Sequence, residues 1–121
     1  MRFKNEYTYE ERQKQIKDVL VKHPHRIPII CERHEFSPID CPEIDKKKYL
    51  VPMELTVGQF LYVIRNRLKI LPNKSIFLFI DGLMPSTSAL LYYYYTNYRD
   101  NDGFLYINYT FENVFGSNIC N

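Results

Sequence analysis

The sequence predicts an α+β fold in a single domain, on three observations. Two segments carry the spacing of a capping box ahead of apolar residues at helical intervals, four short segments read as strands, and the elements do not follow the alternating order that builds a doubly wound parallel sheet. The chain has 121 residues, 45% of them apolar, enough for one core without cross-links.

In chain order, Thr8-Tyr9-Glu10-Glu11 has capping-box spacing, and Ile16, Val19 and Leu20 then form a narrow apolar stripe before Lys22-His23-Pro24 ends the run. A polar helix is expected over 9–22. Arg26-Ile27-Pro28-Ile29-Ile30-Cys31-Glu32 is rich in β-branched residues and reads as a strand, which Pro28 demotes to a sheet edge. The stretch 34–45, with Pro38 and Pro42, reads as a loop. Lys46-Lys47-Lys48-Tyr49-Leu50-Val51-Pro52 is a second strand that pairs with the first.

Thr56-Val57-Gly58-Gln59 is the second capping box, and Val57, Phe60, Leu61, Ile64 and Leu68 share one face of the helix it opens. Ser75-Ile76-Phe77-Leu78-Phe79-Ile80 is a short apolar strand, and Asp81-Gly82 turns it into a small hairpin with Leu83-Met84. Ser86-Thr87-Ser88 offers caps for a helix near 89–98, where Leu91, Tyr94, Tyr95 and Tyr98 share a face. The Tyr92 to Tyr95 run reads as ordinary packing, because a tyrosine can bury its ring and keep its hydroxyl in water. Phe104-Leu105-Tyr106-Ile107-Asn108-Tyr109-Thr110 alternates with period two and is the last strand. This order of elements fits a ubiquitin-like β-grasp with an extra N-terminal helix. It divides the chain into a helical extension over 1–24, a β-grasp core over 25–110 and a flexible tail over 111–121 that lacks periodicity.

Composition removes several functions. Sixteen basic against fourteen acidic residues leave a formal charge of +2, too balanced for binding nucleic acid through its phosphates. Three cysteines, Cys31, Cys41 and Cys120, at irregular spacing argue against a disulfide framework and for a reducing, cytosolic setting. No stretch approaches a membrane span, and the first residues lack the apolar core of a secretory signal, so membrane contact must come by attachment. Glycine-rich phosphate loops, His-Glu-x-x-His, Cys-x-x-Cys and the Gly-x-Ser-x-Gly elbow are missing, so no catalysis is expected. Cys31, His34 and Cys41 would need a fourth ligand, His23 or His25, from across an element boundary to hold zinc, and Cys31 inside an apolar strand reads as a core thiol. No metal or cofactor is expected. Lys46, Lys47, Lys48, Arg65, Arg67 and Lys69 form either a solvated face or a positive rim around an apolar groove, suited to acidic peptides or acidic lipid headgroups.

Several ordered segments decide between these. Arg26-Ile27-Pro28-Ile29-Ile30, Lys46-Lys47-Lys48-Tyr49-Leu50-Val51-Pro52, Leu55-Thr56-Val57-Gly58-Gln59-Phe60, Ile64-Arg65, Pro85-x-Thr87-Ser88-Ala89, Phe104-Leu105-Tyr106-Ile107 and Phe115-Gly116 closely resemble the GABARAP and light chain 3 family of autophagy modifiers. The resemblance runs from about Glu10 to Gly116. It implies a ubiquitin-like β-grasp with two additional N-terminal helices and no catalysis of its own. It further implies that a dedicated cysteine protease cuts between Gly116 and Ser117, and that activating and conjugating enzymes carry Gly116 as thioesters to the amine of phosphatidylethanolamine. A residue without Cβ suits that chemistry, since it threads a narrow protease slot and leaves its carbonyl open to a thiol or an amine. The modifier would be cytoplasmic, and held on the autophagosome membrane once lipidated.

The same resemblance implies that cargo receptors and adaptors dock acidic aromatic-x-x-aliphatic peptides on the strand 46–51. The aromatic residue's pocket would comprise Val19, Pro28, Ile30, Lys48, Leu50 and Phe104. The aliphatic residue's pocket would comprise Tyr49, Val51, Pro52, Leu55, Phe60 and Val63, and Arg26, Lys46 and Arg67 would form the charged rim. Without the resemblance, about half of these apolar residues read as plain core. The chain departs from the family at Gln15, where an acid is usual, at Gly103 beside Phe104, at the Asp81-Gly82 turn, and at Tyr7-Thr8-Tyr9. Two rival readings are an unconjugated ubiquitin-like peptide-binding module and a small RNA-binding domain. A removable tail after Gly116 speaks against the first, and near-neutral charge without paired aromatic strands against the second.

Overall fold

The computed structural model describes residues 2–111. Its elements are α1 (Phe3–Glu6), α2 (Tyr9–Lys22), β1 (Arg26–Arg33), β2 (Lys48–Pro52), α3 (Val57–Leu68), β3 (Phe77–Phe79), α4 (Leu91–Tyr98) and β4 (Leu105–Thr110). The four strands form one sheet in the order β2-β1-β4-β3, with β1 and β4 parallel at its centre and antiparallel pairs outside. This is the ubiquitin-like α+β architecture, with two helices ahead of the first strand.

Both capping boxes form. Thr8 Oγ1 accepts from the Glu11 amide while the Glu11 carboxylate accepts from the Thr8 amide, and Thr56 and Gln59 repeat the exchange at the start of α3. Each satisfies two amides that a helix start would otherwise leave unpaired. Asp81 and Gly82, with φ of 50° and 76°, make the tight turn, closed by paired bonds between Ile80 and Leu83.

The period of two along the strands separates two apolar layers. Ile27, Ile29, Cys31, Tyr49, Val51, Leu105, Ile107 and Tyr109 face α3 and α4, where Val57, Phe60, Ile64, Leu91 and Tyr94 complete the main core. Ile30 and Phe104 face the other way and pack with Phe3 of α1 and Ile16 of α2 in a smaller cluster. A buried ion pair reinforces that thin second layer. Arg12 Nε donates to Asp102 Oδ2 at 2.8 Å, and Asp102 also accepts from the Phe104 amide and the Tyr106 hydroxyl. Arg12 Nη1 donates to the carbonyls of Tyr7 and Lys4, so one guanidinium ties α1, α2 and the start of β4 together.

Four sequence expectations change. Pro28 sits in β1, an inner strand, because its missing donor falls where nothing needs it. The Cys31 amide bonds to Lys47 and the His34 amide to Tyr109, so odd residues of β1 face β2 and even ones face β4. The β4 ladder starts at Ile29↔Leu105, one residue past Pro28. Ser86, Thr87 and Ser88 do not cap α4, which begins at Leu91 after an N-cap Leu90 that makes no side-chain cap bond. A non-local acceptor replaces the cap, the Leu91 amide donating to the Leu55 carbonyl. The Tyr94 hydroxyl is not left to water: it accepts from the Ser86 amide. The strands expected over 46–52, 75–80 and 104–110 are trimmed to 48–52, 77–79 and 105–110.

Candidate functional site

Among the described residues, β2 is an edge strand with no partner on its outer side. The Lys47 carbonyl faces β1, so by alternation the backbone groups of Tyr49 and Val51 bond to β1 while those of Lys48 and Leu50 point outward. An edge that presents outward amides and carbonyls on either side of an inward residue is a template for another strand. The side chains obey the same alternation: Tyr49 and Val51 are buried in the main core, Lys48 is exposed and Leu50 is half-buried on the α2 side.

The residues expected around a peptide's aromatic side chain fall into two levels. Val19 and Leu50 are half-buried and Lys48 is exposed, so these three offer surface. Pro28, Ile30 and Phe104 are buried beneath, the last two wholly so. Lys48 Nζ reaches across to α2 and donates to Gln15 Oε1 at 2.7 Å, one helical turn before Val19. A lysine held by a neutral amide keeps its full charge available to a ligand. The second expected pocket divides likewise. Phe60 is fully buried and meets Tyr49 edge to face, with ring centres 5.5 Å apart, while Leu55 is half-buried and Pro52 and Val63 are exposed. The Tyr49 hydroxyl is buried without a hydrogen-bond partner among the described residues, and burial, with Cys31 nearby, pushes its pKa up.

Around the edge lie Arg26, exposed and with Nη1 at 3.5 Å from the Leu50 carbonyl, and Lys46, whose Nζ stands 5.1 Å above the Tyr49 ring. Arg67 is already engaged: Nε and Nη2 donate to the two carboxylate oxygens of Asp45 at 2.9 and 3.2 Å. The Arg67 hydrogen bond holds the Asp45 pKa below the ordinary carboxylate value. Asp45 was not among the expected site residues. The only local signal for it is an acid directly before the Lys46-Lys47-Lys48 run.

The remaining candidates separate from this edge. Gly116, Ser117 and Cys120 lie outside the described residues. The chain approaches them along β4, whose last residue Thr110 pairs with Phe77, with β1 between β4 and the open edge. Cys31 and Cys41 are buried thiols whose pKa values burial pushes up, and His34, its pKa lowered by burial, accepts at Nδ1 from the Phe36 amide. No group of three or more side chains among the described residues is arranged to hold a metal ion, and no helix among them is long and apolar enough to cross a membrane. A polar cleft of about 720 Å³, with Arg2, Glu32, Asp81, Arg99 and Asn108 in its walls, shares no residue with the β2 edge.

Comparison with known proteins agrees with this geometry. A family model described as "Autophagy protein Atg8 ubiquitin like" matches residues 11–116. The chain is 52% identical over 114 residues to autophagy-related protein 8 of Mycosarcoma maydis, covering 94% of this chain and 95% of that one. It is 51% identical over 115 residues to autophagy-related protein 8 of Vanderwaltozyma polyspora, covering 95% and 96%. The crystal structure of Trypanosoma brucei ATG8 superposes with a TM-score of 0.85 at 39% identity, over 91% of this chain and 93% of that one. With a matching family model over most of the chain, near-full-length relatives at about half identity and the same fold, this chain belongs to the Atg8 family, which includes the GABARAP and light chain 3 proteins, and is a ubiquitin-like autophagy modifier.

Proposed function

We propose that this modifier is cleaved between Gly116 and Ser117, joined through Gly116 to phosphatidylethanolamine, and used on the autophagosome membrane to recruit cargo receptors through acidic aromatic-x-x-aliphatic peptides. The observation that carries the recruiting half is the β2 edge, with outward backbone groups at Lys48 and Leu50 between a half-buried apolar patch at Val19 and Leu50 and a more exposed one at Pro52, Leu55 and Val63. A peptide strand laid there gains main-chain bonds along the edge and puts its aromatic and aliphatic side chains on opposite ends of it. Arg26, Lys46 and Lys48 give the peptide's acids a cationic border.

The conjugating half rests on family membership and on the Phe115-Gly116 pair at which the family match ends. On this reading the protein supplies the Gly116 carboxyl, and a cysteine protease and activating and conjugating enzymes do the chemistry. Attachment to a two-chain lipid is stable where one acyl chain is marginal, and it moves a cytoplasmic domain to a membrane without a spanning helix. Two measurements test the proposal. Gly116→Ala should abolish the lipidated band in a gel-shift assay while circular dichroism stays unchanged, and calorimetry should detect an acidic aromatic-x-x-aliphatic peptide on the wild-type protein. A lipidated band at wild-type intensity in the variant, or no peptide binding, would contradict the respective half.

A further inference from the structure

We propose that Asp45 is an internal competitor for Arg67, so that the peptide edge discounts an acid placed against Arg67 and reads acids instead through Lys46, Lys48 and Arg26. The inference rests on the strand-addition reading above. A guanidinium presents two in-plane edges to carboxylates, and Asp45 fills the Nε–Nη2 edge with both oxygens, at 2.9 and 3.2 Å. A ligand acid reaches that edge only by displacing Asp45, and at the remaining Nη1–Nη2 edge it meets a cation whose charge Asp45 already offsets. The other rim cations carry no such burden: among the described residues Lys46 stands over the Tyr49 ring, Lys48 donates to Gln15, Arg26 to a carbonyl, and none lies within 4.0 Å of a carboxylate.

Asp45 is delivered to Arg67 by the segment that precedes it. Ile44 is buried in the main core, the Pro42 carbonyl accepts from the Tyr109 hydroxyl at 2.6 Å, and Arg33 holds both Glu43 and the Cys41 carbonyl. With its neighbour anchored, Asp45 meets Arg67 with little further loss of chain freedom, which favours it over an acid on a flexible peptide. The pair is exposed, and exposed ion pairs are weak, so the competition is a modest discount and not a block. Asp45 is thus a positioning residue that sets selectivity through Arg67.

The test is calorimetry on the folded chain with two aromatic-x-x-aliphatic peptides that differ only by Glu or Gln at both intervening positions. Asp45→Ala should raise affinity for the Glu peptide about twofold to fivefold and leave the Gln peptide unchanged. Asp40→Ala removes the same charge from the middle of the same connection, where Asp40 pairs with Lys74 at 3.1 Å, and should change neither. Adding Arg67→Gln to Asp45→Ala should erase the gain. An equal gain in Asp40→Ala, or a gain that survives Arg67→Gln, would reduce the effect to net charge and overturn the inference, as would an unchanged Asp45→Ala against a wild type that binds. If wild type binds neither peptide, the strand-addition reading fails and the inference falls with it.

Discussion

Leu50 and Tyr49 are neighbours on the edge strand, yet their truncations should act on different properties. Tyr49 is 7% exposed and its ring is a wall of the main core against Phe60. Cutting it to alanine opens a cavity that, by analogy with large aromatic truncations, costs about 3–5 kcal/mol, a large fraction of a stability of about 5–15 kcal/mol. Tyr49→Phe removes only a hydroxyl that is buried without a partner, so stability should hold or rise by up to about 1 kcal/mol. Leu50 is half-buried on the opposite face, and a bound peptide would cover the rest. Full burial of a leucine is worth roughly 1.5–3 kcal/mol, so the part left for the peptide is about 1–1.5 kcal/mol, or a fivefold to tenfold change in dissociation constant. The assay is urea unfolding beside peptide calorimetry on Leu50→Ala, Tyr49→Phe and Tyr49→Ala. Tyr49→Phe should bind like wild type and Leu50→Ala should bind weakly while folded. Wild-type affinity in Leu50→Ala, together with a tenfold loss in Tyr49→Phe, would mean that the peptide does not cover the Leu50 face of β2.

Other perturbations test the scaffold. Arg12→Ala strands the buried Asp102 carboxylate, whose side chain is 0% exposed, and should cost about 3–5 kcal/mol by urea unfolding; a cost under 1 kcal/mol would mean that α1 and α2 are held by other contacts. Gly103→Ala forces a Cβ to within 2.8 Å of Ile16 at φ of 101°, so its melting temperature should fall, by roughly 3–5 °C for each 1 kcal/mol lost. Burial raises the folded pKa of Cys31 and Cys41, so their stabilising share is complete below the unfolded thiol value, about 8.5, and declines as pH rises toward the folded values. Unfolding free energy should therefore fall above about pH 8.5, and iodoacetamide should reach both thiols only after denaturation; a stability flat to pH 10.5 would contradict that sign.

What could be read from the sequence was local. Thr8 with Glu11, Thr56 with Gln59, and Asp81-Gly82 each specify their structure within four residues, and each forms as expected. Pro28 misled because the rule confining proline to sheet edges assumes a ladder on both sides, and where the β4 ladder begins is a long-range fact. Ser86 to Ser88 misled for the converse reason, since a carbonyl 36 positions upstream of Leu91 takes the role of a cap. α1 is four residues long, too short for any periodicity, and its Phe3 amide is fixed by Glu32 from β1. In the candidate site, alternation along 48–52 sorts Tyr49 and Val51 from Lys48 and Leu50 once the buried face is known. The sequence names Arg67 and Asp45 but not that they meet, because that pairing depends on how α3 crosses the start of β2.

Intact mass spectrometry of the protein recovered from cell membranes is the decisive measurement for the proposal that Gly116 carries phosphatidylethanolamine. The expected species ends at Gly116, lacks Ser117 and whatever follows it, and carries the added mass of one phosphatidylethanolamine, absent from the Gly116→Ala variant. A membrane-associated population made up only of chains that retain Ser117 beyond Gly116 and carry no added lipid mass would overturn the proposal.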